Sequence, residues 1–252
     1  MLFWLDDTPR PGWQNMAIDC ALLDLARSGE GAVFRVYRWE PFCLSFGRHE
    51  PALRRYGRDN VMARGIDVVR RPTGGRAVWH ARELTYSVAQ PDAGISLRES
   101  YRAIHGMLAD AVRRLGAPAL LAADPPRIAG LGAGACFAQP VGGEVVVAGR
   151  KVVGSAQLRE NGALLQHGSM LLSDDQALVR ELGGDGLQAT SEMPLRMALG
   201  RPITFAEAAS AVYHSAQTWE PELSTVDDST RILQIAEGHA ERFKSDEWTW
   251  SR

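Results

Sequence analysis

Apolar residues recur at helical spacing in "NMAIDCALLDLARSG". Ala17, Ile18, Ala21, Leu22 and Leu25 form one stripe, and Gly29 closes it. The pattern then turns strand-like. "AVFRVYRW" and "FCLSFG" are short β-rich runs separated by Glu40-Pro41. "GIDVVRRP" predicts a further strand ended by Pro72, and "AVWH" and "ELTYSVAQP" predict two more. "SLRESYRAIHGMLADAVRRLGAP" returns to helical spacing. Ser96 with Glu99 reads as a capping box, Tyr101, Ile104, Leu108, Val112 and Leu115 form the stripe, and Gly116 and Pro118 end it. "EVVVAGRKVVGSAQLRENGALLQHGSMLL" reads as an antiparallel meander with turns at Gly149-Arg150 and Asn161-Gly162. Beyond it the chain is expected to be helical over 174–252, with a second capping box at Thr204 and Glu207. Helices mixed with antiparallel strands argue for the α+β class, not a doubly wound sheet.

Composition adds bounds. The chain has 252 residues, 45% hydrophobic and 23% charged, enough to bury a sizeable core in one large domain, or in one domain with a small appendage. A formal net charge of -2 does not suggest bulk nucleic-acid binding. The cysteines Cys20, Cys43 and Cys136 are too scattered for a disulfide framework or a structural zinc site. No run approaches the ~18 apolar residues of a membrane span. The start, "MLFWLDDTPRPGWQ", lacks a basic region followed by an apolar run. A cytoplasmic protein with reduced thiols is expected.

Four places could carry chemistry. In "RRPTGGRAVWH" a glycine pair lets backbone amides approach an oxyanion, with Arg70, Arg71 and Arg76 adding positive charge. A tight turn with solvated arginines is the plain alternative. Lys151 stands where arginine far outnumbers lysine in the chain. It is either a solvated strand end or a partly buried ammonium able to stabilise a thiolate or oxyanion. Cys136 lies in the glycine-rich loop "GLGAGACFAQP", while Cys20 and Cys43 fall on a helix face and in a strand and read as inert. His167, with Gln166 and Ser169 between apolar flanks, and His80 are either satisfied structural histidines or site residues. His49, His105, His214 and His239 have no such context.

Together these segments resemble the lipoate/biotin protein ligase family. The resemblance is carried by "QNMAIDCALL", by "RRPTGGRAVWHARELTYSV", by "ACFAQP" ahead of "GEVVVAGRKVVGSAQLRENGALLQHGSMLL", and by "ERFKSDEWTW". Within the family the chain is most similar to octanoyltransferases of the LipM type, on "GGRAV" followed by "ELTYS" and on the Cys136-Phe137 pair ahead of Lys151. It departs at Cys20, where an acidic residue is usual, and in the plain "AQPVGGE".

The resemblance implies a ligase-like catalytic domain with a mixed, largely antiparallel sheet and flanking helices. It implies acyl transfer through a thioester on Cys136, with Lys151 favouring the thiolate. It implies a substrate-binding set of Arg70, Gly74, Gly75, Arg76, His80, Gly154, Ser155, Ala156, His167 and Gly168, and no metal or other cofactor. The implied partners are octanoyl-acyl carrier protein and an apo lipoyl-domain protein such as the glycine-cleavage H protein, with no nucleic acid and no membrane. Arg48, Arg54, Arg55, Arg58, Arg70, Arg71 and Arg76 are a candidate patch for such acidic partners. An ATP-dependent lipoate–protein ligase, an amidotransferase between lipoyl domains and a non-catalytic binder are the alternatives.

Overall fold

The computed structural model describes residues 1–124, 142–173, 176–183 and 192–251. Strand β1 (Leu2–Asp6) leads into α1 (Gly12–Arg27), β2 (Ala32–Tyr37) and β3 (Cys43–Phe46). Short helices α2 (Ala52–Tyr56) and α3 (Arg58–Ala63) precede β4 (Asp67–Arg70), β5 (Val78–His80) and β6 (Glu83–Pro91). Helix α4 (Leu97–Arg114) is followed by β7 (Leu120–Leu121), β8 (Val145–Val147), β9 (Arg150–Glu160) and β10 (Ala163–Leu171). Then come α5 (Ala177–Gly183), α6 (Leu195–Leu199), α7 (Phe205–Trp219), β11 (Ser224–Thr225), α8 (Thr230–Lys244) and α9 (Asp246–Thr249).

Among the described residues the strands form two sheets. The larger has the order β11-β1-β2-β6-β10-β9-β8-β7, and the smaller β4-β3-β5. In the larger, β1 runs parallel to β2 and β11, and the other pairs are antiparallel. This is the mixed, largely antiparallel sheet expected of the family. The smaller sheet was not expected. The Glu40-Pro41 break that separates β2 from β3 sends the two strands into different sheets.

Local chemistry explains the turns. Asn161 and Gly162 have φ of 51° and 79°, as a two-residue hairpin of the Asn-Gly kind requires. The β8–β9 turn is one residue earlier than expected, at Ala148 and Gly149 with φ of 49° and 72°, and Arg150 already opens β9. Helix α4 has the full Ser96–Glu99 box. At α7 only half of the expected box forms. Thr204 Oγ1 accepts from the Glu207 amide, but the Glu207 carboxylate accepts from Arg201 instead. The region after residue 174 also contributes β11, paired with β1, so it is not wholly helical.

The sheet is covered on both faces. Leu84, Tyr86 and Val88 of β6 enter a core with Ile104, Leu108 and Val112 of α4 and Val212 of α7. Ala89 of β6 and Leu165 of β10 meet Ile18, Leu22 and the rest of the α1 face, which α8 covers from outside through Ile232, Ala236 and Phe243. The buried side of α1 is broader than its predicted stripe and takes in Met16, Asp19, Cys20 and Leu23. Within the described residues no helix is long and apolar enough to cross a membrane.

Candidate active site

Strand alternation decides which side chains meet. On β6, Thr85 and Ser87 point opposite to Leu84, Tyr86 and Val88, so a polar row faces α1. His167 and Ser169 of β10 join it through Asp19 and Glu83. A narrow cavity of about 30 Å³ lies here, lined from both sheets and from α1. Met16, Tyr37, Trp39 and Val78 give it apolar walls. Ser45, Arg71, His80, Thr85, His167 and Ser169 supply polar groups, and Gly154, Ser155, Ala156 and Gly168 complete it.

Two hydroxyl–histidine–carboxylate relays belong to this pocket. Thr73 Oγ1 lies 2.6 Å from His167 Nε2, and His167 Nδ1 donates to Asp19 Oδ2 at 2.9 Å. Ser45 Oγ lies 2.7 Å from His80 Nε2, and His80 Nδ1 donates to Glu83 Oε1 at 2.7 Å. Trp39 stacks on the His80 ring at 4.1 Å and donates to Thr85 Oγ1 at 2.7 Å. Burial would raise the Asp19 carboxyl. Hydrogen bonds from His167 and Ser87 and the charge of Arg35 outweigh it and hold Asp19 below the usual carboxylate range. Burial pulls His167 down, against the opposing effect of Asp19.

Lys151 belongs to a second cluster on the α4 face of the sheet. It is 1% exposed, and its Nζ donates to Glu144 Oε1 at 2.6 Å. Beside it is fully buried His105, whose Nδ1 is 2.8 Å from the Gly143 carbonyl and whose Nε2 is 2.8 Å from Ser155 Oγ. A carbonyl only accepts, so Nδ1 carries the hydrogen. Burial, with a lesser push from the Lys151 charge, takes His105 down to about 3, so the ring is neutral and Nε2 accepts. Ser155 therefore donates to His105, and Tyr86 Oη must donate to Ser155 at 2.6 Å. Gln166 in turn donates to Tyr86 at 2.7 Å, and Gln157 to Gln166 at 2.9 Å. One carbonyl orients the whole chain. Strand alternation sets Ser155 on this face, and its partner Gly168 leaves room for it, since a Cβ there would stand 2.1 Å from Ser155 Oγ.

The expected substrate-binding set is thus divided. His80, Gly154, Ser155, Ala156, His167 and Gly168 line the pocket. Gly74 and Gly75 are not among the lining residues: Gly75 is exposed, with an added Cβ 4.0 Å from Ala156 Cβ, and Gly74 has nothing within 4 Å of one. Arg70 is a correction. Its guanidinium turns away from the pocket and donates to the carbonyls of Gly47, Glu50 and Trp248, all at 3.0 Å or less. Its neighbour Arg71, on the opposite face, lines the pocket and holds the glycine loop through the Gly74 and Arg76 carbonyls at 3.0 and 2.6 Å. Arg76 enters through that carbonyl. The arginine patch is also corrected. Arg70 and Arg71 are buried, and Arg55 and Arg58 pair with Glu50 and Asp246. Lys151 is no solvated strand end, and His105 is not without context. Cys136 lies outside the described residues.

Sequence reading missed Asp19, Arg35, Ser45, Thr73, Glu83, His105 and Glu144. Asp19 alone left a signal, an acid inside an apolar helical stripe. Cys20 is buried, and burial together with Asp19 pushes its thiol up to about 12, in keeping with an inert role.

A mixed sheet clad by helices, with a histidine-lined pocket and a buried strand lysine, defines the lipoate/biotin ligase-like fold class. The chain belongs to the lipoyl protein ligase A/B catalytic domain family, whose model matches residues 11–215. It is 36% identical to Octanoyltransferase LipM of Exiguobacterium sp., covering 95% of this chain and 94% of that protein. It is 41% identical to Octanoyltransferase LipM of Symbiobacterium thermophilum, covering 82% of each. The fold also matches a bi-partite lipoate protein ligase of Thermoplasma acidophilum, solved in a study of that ligase and its E2 lipoyl domain. That match has a TM-score of 0.70 at 20% identity over 99% of this chain and 95% of that one.

Proposed function

We propose that this protein is an octanoyltransferase of lipoate assembly, moving octanoyl from acyl carrier protein to a lysine of a lipoyl domain. Its likeness to octanoyltransferases over nearly the full chain supports the activity. The observation that carries this reading is the pocket walled by Gly154, Ser155 and Ala156 of β9, with Lys151 buried on the same strand in the cluster on the α4 face.

In the first step the Cys136 thiolate attacks the octanoyl thioester, and the carrier thiolate leaves and takes a proton. In the second the lysine amine forms the C–N bond, the C–S bond breaks, and the amine proton passes to the departing Cys136 sulfur. The second step turns a thioester into an amide and is downhill. Lys151 does not act as a bare cation. Glu144 holds it at 2.6 Å, so a nearby thiolate meets an oriented ion pair with its ammonium fixed in place. The walls Met16, Tyr37, Trp39 and Val78 would have to part to admit an octanoyl chain, since the cavity holds only about 30 Å³, and would then bury it at ~0.8 kcal/mol per CH₂.

The test gives the protein octanoyl-acyl carrier protein and an apo lipoyl domain, with EDTA and no nucleotide, and follows the acceptor by mass. Octanoylation is expected in the wild type and not in Cys136→Ala. If the mass shift requires free octanoate or lipoate with Mg-ATP, the chain is a ligase and this reading is wrong.

A further inference from the structure

Of the arginines first grouped as a patch, Arg48 has a different setting. It is half-buried, and its amide donates to the Thr73 carbonyl at 2.8 Å, so it is tied to the glycine loop. Arg242, from the last turn of α8, is also half-buried and lies over the Trp248 ring at 3.7 Å. The two arginines together line two adjoining clefts. One, of about 560 Å³, has His49, Ser245 and Trp248 on its walls. The other has Pro72, Leu158 and Glu160.

The acids of these clefts are held by other cations of the second cleft or stand beyond 4.0 Å from the two arginines. Asp24 accepts from Arg27 at 2.9 Å and from His239 at 2.7 Å, and Glu160 is 4.0 Å from Arg27. Glu247 is exposed on the outer wall. Among the described residues neither Arg48 nor Arg242 has a carboxylate within 4.0 Å. Burial pulls Arg242 below its ordinary value; Cys20 and Glu160 oppose this, and the charge of Arg48 adds to it. Two partly desolvated cations that repel each other are unfavourable until an anion joins them.

Their position along β9 indicates which anion. Gly154 and Ala156 line the acyl pocket, and the next residues on the same face, Leu158 and Glu160, line the arginine cleft. At ~3.4 Å per residue the cleft begins roughly 7 Å further along the strand and reaches roughly 14 Å. A thioester arm with its acyl end in the pocket would pass this point.

We propose that Arg48 and Arg242 form a phosphate site holding the phosphodiester of the pantetheine arm that delivers the acyl group. This rests on the acyl-transfer reading above. The same phosphate chemistry occurs in a carrier-bound arm and in a free one, and the test separates them.

Transfer rates are measured from octanoyl-pantetheine, octanoyl-4′-phosphopantetheine and octanoyl-acyl carrier protein. The wild type is expected to prefer the phosphorylated small donor over the unphosphorylated one by about tenfold in KM, the worth of one charge-assisted contact. Arg48→Gln and Arg242→Gln are expected to bring that ratio towards one, and Arg48→Lys to restore part of it. Using two positions guards against loss of the Trp248 contact in Arg242→Gln. An equal KM for both small donors in the wild type overturns the site, as does a full preference kept by both variants. A preference seen only with the carrier protein assigns the effect to protein docking and also overturns it. If the wild type transfers from no donor, the acyl-transfer reading fails separately. Titration with inorganic phosphate then decides the site, since binding by wild type and not by Arg48→Gln is expected, and no binding by wild type rules it out.

Discussion

His167 Nδ1 donates to Asp19 Oδ2 at 2.9 Å, across 148 positions of sequence. This contact ties the first helix to the last long strand of the sheet. It also sets the ring, because a carboxylate accepts and leaves Nε2 facing Thr73 Oγ1 at 2.6 Å. Thr73 begins the glycine loop, so the loop is registered against α1 through one imidazole. Across the pocket His80, between Glu83 and Ser45, does the same between the large and small sheets. The pocket is thus held by paired histidines whose orientations are fixed from behind by carboxylates.

Asp19 depends on Arg35. The guanidinium is wholly buried and donates to Asp19 Oδ1 at 2.8 Å, Asp7 Oδ2 at 2.9 Å and Asn15 Oδ1 at 2.7 Å. Arg35→Met would leave the buried Asp19 carboxylate without its arginine and Asp7 with Arg10 alone. A loss of ~3–5 kcal/mol is expected from urea unfolding, the usual result of removing one partner of a buried pair. A loss below about 1 kcal/mol would mean that the cluster adds little to stability.

Acid should weaken the fold through its histidines. Burial depresses both His105, to about 3, and His167. Unfolded, each has a pKa of about 6.5, so below that the unfolded chain binds more protons. Their contribution is fully present above pH ~6.5 and is lost as pH falls. Each adds up to ~1.4 kcal/mol per pH unit to the slope. Asp19 adds the same sign lower down, below its unfolded value. Asp6 and Asp67, raised by burial, act in the opposite sense there, so the histidine signature is cleanest near pH ~6. His105→Gln should flatten the slope by up to one proton. An unchanged slope would show that His105 is not buried as a neutral ring.

What sequence could reveal was local. The Asn161-Gly162 hairpin, the Ser96 cap and the strand runs depend on neighbours in the chain, and they formed where the patterns predicted. The site depends on pairings across long separations. "RR" at Arg70 and Arg71 looks uniform in sequence, yet adjacent strand residues face opposite ways. One arginine therefore became scaffold and the other lined the pocket. His105 sits in a helix whose stripe accounted for its neighbours. Its partner Ser155 lies 50 residues on, and only the fold brings them together. Glu144, seven residues from Lys151, could have been noticed, but nothing in "GGEVVV" marks its carboxylate as buried.

Glycines around the pocket give a graded test of the loop packing. At Gly74 nothing lies within 4 Å of an added Cβ, so Gly74→Ala should change stability by no more than ~0.5 kcal/mol. Gly75 has φ of 92°, a conformation costly for any side chain, and Gly75→Ala should lose ~1–3 kcal/mol. Gly47 is the strictest. A Cβ there would stand 1.9 Å from the Gly75 carbonyl oxygen, and backbone cannot swing aside as a flexible side chain can. Gly47→Ala should therefore cost the most, above ~4 kcal/mol, or push the Gly74-Gly75 loop off Ala156 and cut octanoyl transfer. Urea midpoints for the three variants should fall in the order Gly74, Gly75, Gly47, with Gly47→Ala the least stable. If Gly47→Ala proves as stable and as active as Gly74→Ala, the close approach between the β3 end and the glycine loop does not exist in solution, and Arg71 cannot be holding that loop against the pocket.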